Sequence, residues 1–159
     1  MNKVLDFDPQ FSVLLPATYN LLKSSNLAVH ESVSRIILHG SRGFAGGARP
    51  NSDIDLSLIV DAKVLANRAD KEAFLHDVSE TTLTNWKSHT ELDLAVIFDI
   101  RSCNLKCFYP TSWDENLCSQ CGIDCFGIYK TQKGFSGIVT NAAVQVKLMY
   151  PCLTIWERD

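Results

Sequence analysis

Long apolar runs are missing from this chain. No stretch approaches the ~20 apolar residues that a membrane-spanning helix needs. A basic excess is missing too. Fifteen Lys and Arg against 18 Asp and Glu give a formal charge of −3 and a pI near 5.8. That balance argues against general nucleic-acid binding, which favours a basic face. There is no internal repeat and no low-complexity run. The first residues, Met1-Asn2-Lys3-Val4-Leu5-Asp6-Phe7-Asp8, are too acidic and too short in apolar length for a secretory signal, so a cytoplasmic location is expected. What is present is an ordinary globular composition, 46% hydrophobic and 21% charged over 159 residues. It fits one domain, or one domain with an appendage.

The informative stretch is 39–60, His-Gly-Ser-Arg-Gly-Phe-Ala-Gly-Gly-Ala-Arg-Pro-Asn-Ser-Asp-Ile-Asp-Leu-Ser-Leu-Ile-Val. Residues 54–60 are apolar, β-branched and short, which predicts a strand. Side chains alternate across a strand, so Asp53 and Asp55 share one face while Ile54, Leu56, Leu58 and Val60 share the core face. Neighbouring carboxylates repel unless one takes a proton or a cation sits between them. A hard divalent ion with oxygen ligands, most simply Mg²⁺, resolves the conflict.

Residues 92–98 predict another strand, with Leu92, Leu94, Val96 and Phe98 on one face and Asp93 on the other. Beside the first strand, Asp93 completes an acidic triad able to hold one or two metals for in-line displacement at phosphorus. The strand 33–39 ends at Gly40-Ser41. Gly40 lets backbone approach a phosphate, and the Ser41 hydroxyl can donate to it. Arg42 and Arg49 in the same loop are candidate bidentate phosphate donors.

Gly40, Ser41, Asp53, Asp55 and Asp93, in that order, resemble the pattern of the nucleotidyltransferase superfamily that includes DNA polymerase beta, the kanamycin nucleotidyltransferases and small stand-alone bacterial domains. The resemblance covers roughly residues 10–100, with a Gly-Ser to Asp-x-Asp loop slightly longer than usual. It implies an α/β fold of the polymerase beta-like type: a mixed sheet with helices packed on one face, formed by a core at 1–100. It also implies transfer of a nucleoside monophosphate from an NTP, ATP favoured, to a protein, RNA or small-molecule hydroxyl, with release of pyrophosphate. In that scheme Asp53 and Asp55 ligate Mg²⁺, of which two ions are expected. Asp93 binds the second ion or acts as general base, and Gly40 and Ser41 hold phosphates. Small relatives often pair with a helical HEPN-class protein. Residues 126–159 do not match the helical second domain of the larger relatives, so a homodimer, a partner chain or the cysteine-rich extension is expected to close the cleft.

Two other functions stand beside this one. The chain can be an inactive nucleotide-binding or regulatory module on the same fold. It can also be a metal-stabilised interaction protein acting through cysteines. Five of the six cysteines fall between 103 and 125, within an extension at 101–159 expected to pack on the core. Cys118 and Cys121 have half-zinc-site spacing, and Cys103 with Cys107 could supply the other two thiolates for Zn²⁺. Buried thiols explain the same cluster. His39 reads as a packed strand residue, and His30, His76 and His89 have no evident partners. Lys130, Lys133 and Lys147 are candidate phosphate or partner contacts, with a solvated charge the plainer reading of each.

The remaining elements follow from periodicity. Residues 9–24 predict a helix broken or restarted at Pro16, with Phe11, Leu14, Leu15, Leu21 and Leu22 as its stripe. Residues 68–88 predict a second helix, with Leu75, Val78, Thr82 and Trp86 at helical spacing. Alternation in 144–150 predicts a strand ended by Pro151.

Overall fold

The structure, a computed structural model, describes residues 5–99, 111–112, 126–139 and 152–158. Chain order begins with two short helices, α1 (Pro9–Leu14) and α2 (Pro16–Lys23). The Asp8 side chain caps α1 by accepting from Gln10 N at 2.9 Å. Pro16 occupies the first position of α2, where its missing N–H costs nothing, so the chain restarts as a new helix.

Strands β1 (Val33–His39) and β2 (Ile54–Val60) follow, then α3 (Ala62–Ala66), α4 (Lys71–Asn85) and β3 (Leu92–Asp99). Asp70 caps α4 by accepting from Ala73 N at 3.0 Å. Phe74, Leu75, Val78, Ser79 and Thr82 form the buried side of α4. The helix is shorter at both ends than the periodic stretch suggests, and α3 precedes it as a separate turn.

Beyond these lie β4 (Thr111–Ser112), β5 (Phe126–Lys130), β6 (Gly137–Val139) and β7 (Cys152–Glu157). All seven described strands join one mixed sheet in the order β4-β7-β1-β2-β3-β5-β6. β2 and β3 are parallel, and every other neighbouring pair is antiparallel. The parallel pair requires a crossover, which α3 and α4 provide. The expected division near residue 100 does not divide the sheet. β5 pairs with β3, and β7 pairs with β1.

One face of the sheet carries the main core. Ile36, Leu38, Ile54, Leu56, Leu58, Val60, Leu92, Leu94, Val96, Phe98, Tyr129, Leu153 and Ile155 meet Phe11, Leu22, Leu65, Phe74, Leu75 and Val78 from the helices. The described helices therefore all pack on that face. Pleating sends Asp55, Ser57 and Asp93 to the opposite face. Ile37, Ile59, Ile97 and Ile128 alternate onto that second face and are buried as well. Among the described residues, no helix is long and apolar enough to cross a membrane.

Candidate functional site

The site grows out of strand register. Asp55 pairs with Asp93 across the parallel β2–β3 ladder, and His39 pairs with Asp55 across β1–β2. Residues paired in register point to the same face, and adjacent strands lie about 4.8 Å apart. His39, Asp55 and Asp93 thus form a row across three strands. Asp53 precedes the start of β2, whose Ile54 N donates to Glu91 O at 2.9 Å.

At the end of β1 the chain reverses at Gly40, whose φ is +76°. A Cβ placed there would collide with the carboxylate of Asp55. Gly43 N donates to Gly40 O at 3.0 Å, which closes the first turn of the loop and leaves Ser41 half-buried within it. The glycine turn and the middle acid are in direct contact.

Arg42 spends its guanidinium inside the loop. Its Nε donates to Ser52 O at 2.9 Å, and one terminal nitrogen lies 3.3 Å from Arg49 O and 3.4 Å from Pro50 O. Thr18 on α2 donates to Arg42 O at 2.6 Å, so the loop is also tied to the helical layer. These bonds make Arg42 a clasp across the loop. Arg49 is exposed, and its backbone N donates to Ser52 Oγ at 2.8 Å.

The electrostatics of the row are uneven. Burial pushes the Asp55 carboxyl up to about 7, helped by a hydrogen bond to Asp93 and by the charges of Asp93 and Asp53, with Lys130 opposing. Asp55 is thereby favoured in its protonated form near neutral pH, the expected response of a buried carboxyl beside other carboxylates. Burial lowers His39 to about 4, and its Nε2 lies 3.1 Å from Ser57 Oγ. A neutral His39 is a packed neighbour of the acids, as its strand position suggests.

Two lysines read from sequence as solvated charges belong to this site. Lys130 forms an ion pair with Asp93, and Lys133 Nζ lies 2.8 Å from Asp53 Oδ2. Gln132 sits between them. Its Oε1 accepts from Leu94 N at 2.8 Å and its Nε2 donates to Leu92 O at 3.0 Å, so it bonds the backbone on both sides of Asp93. The available signal is that Ile128 and Lys130 alternate on one face of β5, followed by a Lys-Gly turn. That pattern does not reveal which strand β5 joins.

Among the described residues, no group of three or more His, Cys, Asp or Glu side chains stands ready to hold a metal ion. Asp53 and Asp93 are instead engaged by the lysines. The donor chemistry still suits a hard divalent cation: Asp55 and Asp93 are paired in register on neighbouring strands, with Asp53 just before the start of β2. Cys103, Cys107, Cys118 and Cys121, the candidate Zn²⁺ ligands, lie outside the described residues, as does the strand predicted at 144–150. Other histidines have partners that the sequence does not reveal. His76 Nδ1 lies 3.0 Å from the Tyr129 hydroxyl, and His30 Nδ1 accepts from Ser32 N at 3.1 Å. No family model, curated protein or solved structure matches this chain.

Proposed function

We propose that this chain is a nucleotidyltransferase of the polymerase beta-like type, transferring a nucleoside monophosphate from an NTP to an acceptor hydroxyl. The observation that carries this reading is the in-register pairing of Asp55 with Asp93, with Gly40 packed on the Asp55 carboxylate. Asp53, Asp55 and Asp93 are the residues that would hold Mg²⁺. Bound there, the ion would neutralise phosphate charge and favour in-line displacement. Gly40 and Ser41 would receive phosphate oxygens on backbone and hydroxyl donors. Asp93 is the candidate general base, provided an acceptor hydroxyl comes within hydrogen-bond reach.

A specific observation favours a second reading. Lys130 and Lys133 form ion pairs with Asp93 and Asp53. A module that binds nucleotide without transferring it is compatible with those pairs.

One experiment separates the two. Purified protein is incubated with Mg²⁺ and α-labelled ATP, GTP, CTP or UTP in lysate of its own source, with Asp53→Ala/Asp55→Ala as control. Label on a protein, RNA or small molecule with wild type alone supports transfer and identifies the acceptor, including any helical partner or second copy. Nucleotide binding without label supports the binding module. Neither binding nor label sinks both and turns attention to the cysteines.

A further inference from the structure

Each outer acid of the site carries an ammonium group, and both ammonium groups come from one short segment. Lys130 ends β5 and its side chain is 15% exposed; Lys133 lies in the turn after it and is 51% exposed. The turn reverses sharply, with φ of +56° at Lys133 and +87° at Gly134. Gln132 fixes the segment to β3 through Leu92 and Leu94, so the backbone beneath the two lysines is anchored independently of their ion pairs.

We propose that Lys130 and Lys133 are exchangeable counter-ions: they neutralise Asp93 and Asp53 when no ligand is bound, yield those carboxylates to a divalent cation, and then hold the triphosphate that arrives with it. The inference rests on the nucleotidyltransferase reading and names that site's triphosphate-binding residues. An ammonium and a divalent cation compete for the same oxygens, and holding both at contact distance places like charges together. A displaced lysine stays tethered beside the metal. Its flexible four-carbon stem and compact charge suit a phosphate oxygen. Only side chains need to move, because Gln132 anchors the segment.

The test uses two probes on the full chain: Mn²⁺ alone, followed by the electron-spin signal of the free ion, and Mg²⁺-tripolyphosphate by calorimetry. Lys130→Met and Lys133→Met should bind Mn²⁺ about two- to fivefold tighter, since each loses a competing ion pair. The same variants should bind Mg²⁺-tripolyphosphate about tenfold more weakly, since each loses a charged donor. Lys133→Arg should keep both wild-type affinities within about twofold. Thermal melts check that the variants fold, and Lys133, with its side chain half exposed, supplies a variant outside the packed core. Both affinities falling together, or neither changing, would overturn the inference. Mn²⁺ binding that Asp55→Asn abolishes but the lysine variants leave alone overturns the inference and keeps the metal site. Mn²⁺ binding absent from wild type, or indifferent to Asp55→Asn, overturns both.

Discussion

The Asp55 carboxylate fills the space that a side chain on residue 40 would need. Gly40 is therefore required for two separate reasons. Its φ of +76° is one that other residues adopt only with strain, and its missing Cβ lets the middle acid lie against the turn. The turn that would receive phosphate and the acid that would receive metal are shaped by the same absent atom.

Gly40→Ala should cost about 2–4 kcal/mol, of which roughly 1 kcal/mol is backbone strain and the rest collision with Asp55. In an Asp55→Ala background the collision largely disappears. What is left is a contact of 3.2 Å with the Cβ of residue 55. Urea denaturation of the two single variants and the double variant should give a coupling above about 1 kcal/mol. Additive costs would contradict the close approach.

Asp55 and His39 should tilt stability in opposite directions with pH. Native Asp55, pushed up to about 7 chiefly by burial, keeps a proton that the unfolded chain releases near 3.8. Its contribution therefore falls as pH rises from about 4 to about 7. Native His39, lowered to about 4 by burial, refuses a proton that the unfolded chain accepts near 6.5. Its contribution falls as pH drops from about 6.5 to about 4. In chelator-treated buffer, Asp55→Asn should exceed wild type at pH 8 by about 1–2 kcal/mol, after discounting for the solvent-exposed part of the group. That advantage should vanish by about pH 4. His39→Gln should lose less stability than wild type on acidification from 6.5 to 4. Urea melts at each pH unit provide the check, and curves parallel to wild type would refute both assignments.

Gln132→Leu should remove two bonds to the β3 backbone and cost about 1–3 kcal/mol. The loss should be local, with the Leu94 amide exchanging faster in hydrogen-exchange measurements while amides at the centre of β1 hold. Gln132→Glu keeps the acceptor for Leu94 N and should preserve most of that protection. Equal exchange at Leu94 in wild type and Gln132→Leu would rule out these side-chain bonds.

Gly127 on β5 lies under the Phe98 ring, where an added Cβ would collide with ring carbons. Gly127→Ala should therefore destabilise by about 1–3 kcal/mol through overpacking. Phe98→Leu in the same chain should recover part of that cost by clearing the space. Thermal melts of the single and double variants would show whether the two positions compensate.

The strands at 33–39, 54–60 and 92–98 were legible because each is short and rich in apolar residues, with Gly40-Ser41 ending the first and Pro50-Asn51-Ser52 leading into the second. Strand alternation placed Asp55 and Asp93 off the core face, whereas Asp53 lies one residue before β2. The Pro16 restart followed from its missing N–H. The rest depended on partners. Ala62–Ala66 is too short for a periodic signal. Cys152–Glu157 follows a proline, and nothing local reveals that it pairs with β1. Lys130 and Lys133 look like surface charges until β5 is placed beside β3. Arg42 looked free for phosphate because the loop carbonyls it serves have no sequence signature.

The place of β7 has a consequence for how the molecule assembles. Residues 152–157 pair with residues 33–39, and Arg158 reinforces the join by donating from Nε to Val33 O at 2.9 Å and from its backbone N to Ser34 O at 2.9 Å. The strand leading into Gly40 therefore acquires one of its two neighbours only after more than a hundred further residues have been synthesised. Pairings between such distant segments form slowly and leave strand edges open in the interval. A nascent chain would carry the glycine loop and its acids beside an unpaired β1 edge, so the ribosome-bound chain should depend on chaperone protection until residues 152–157 dock.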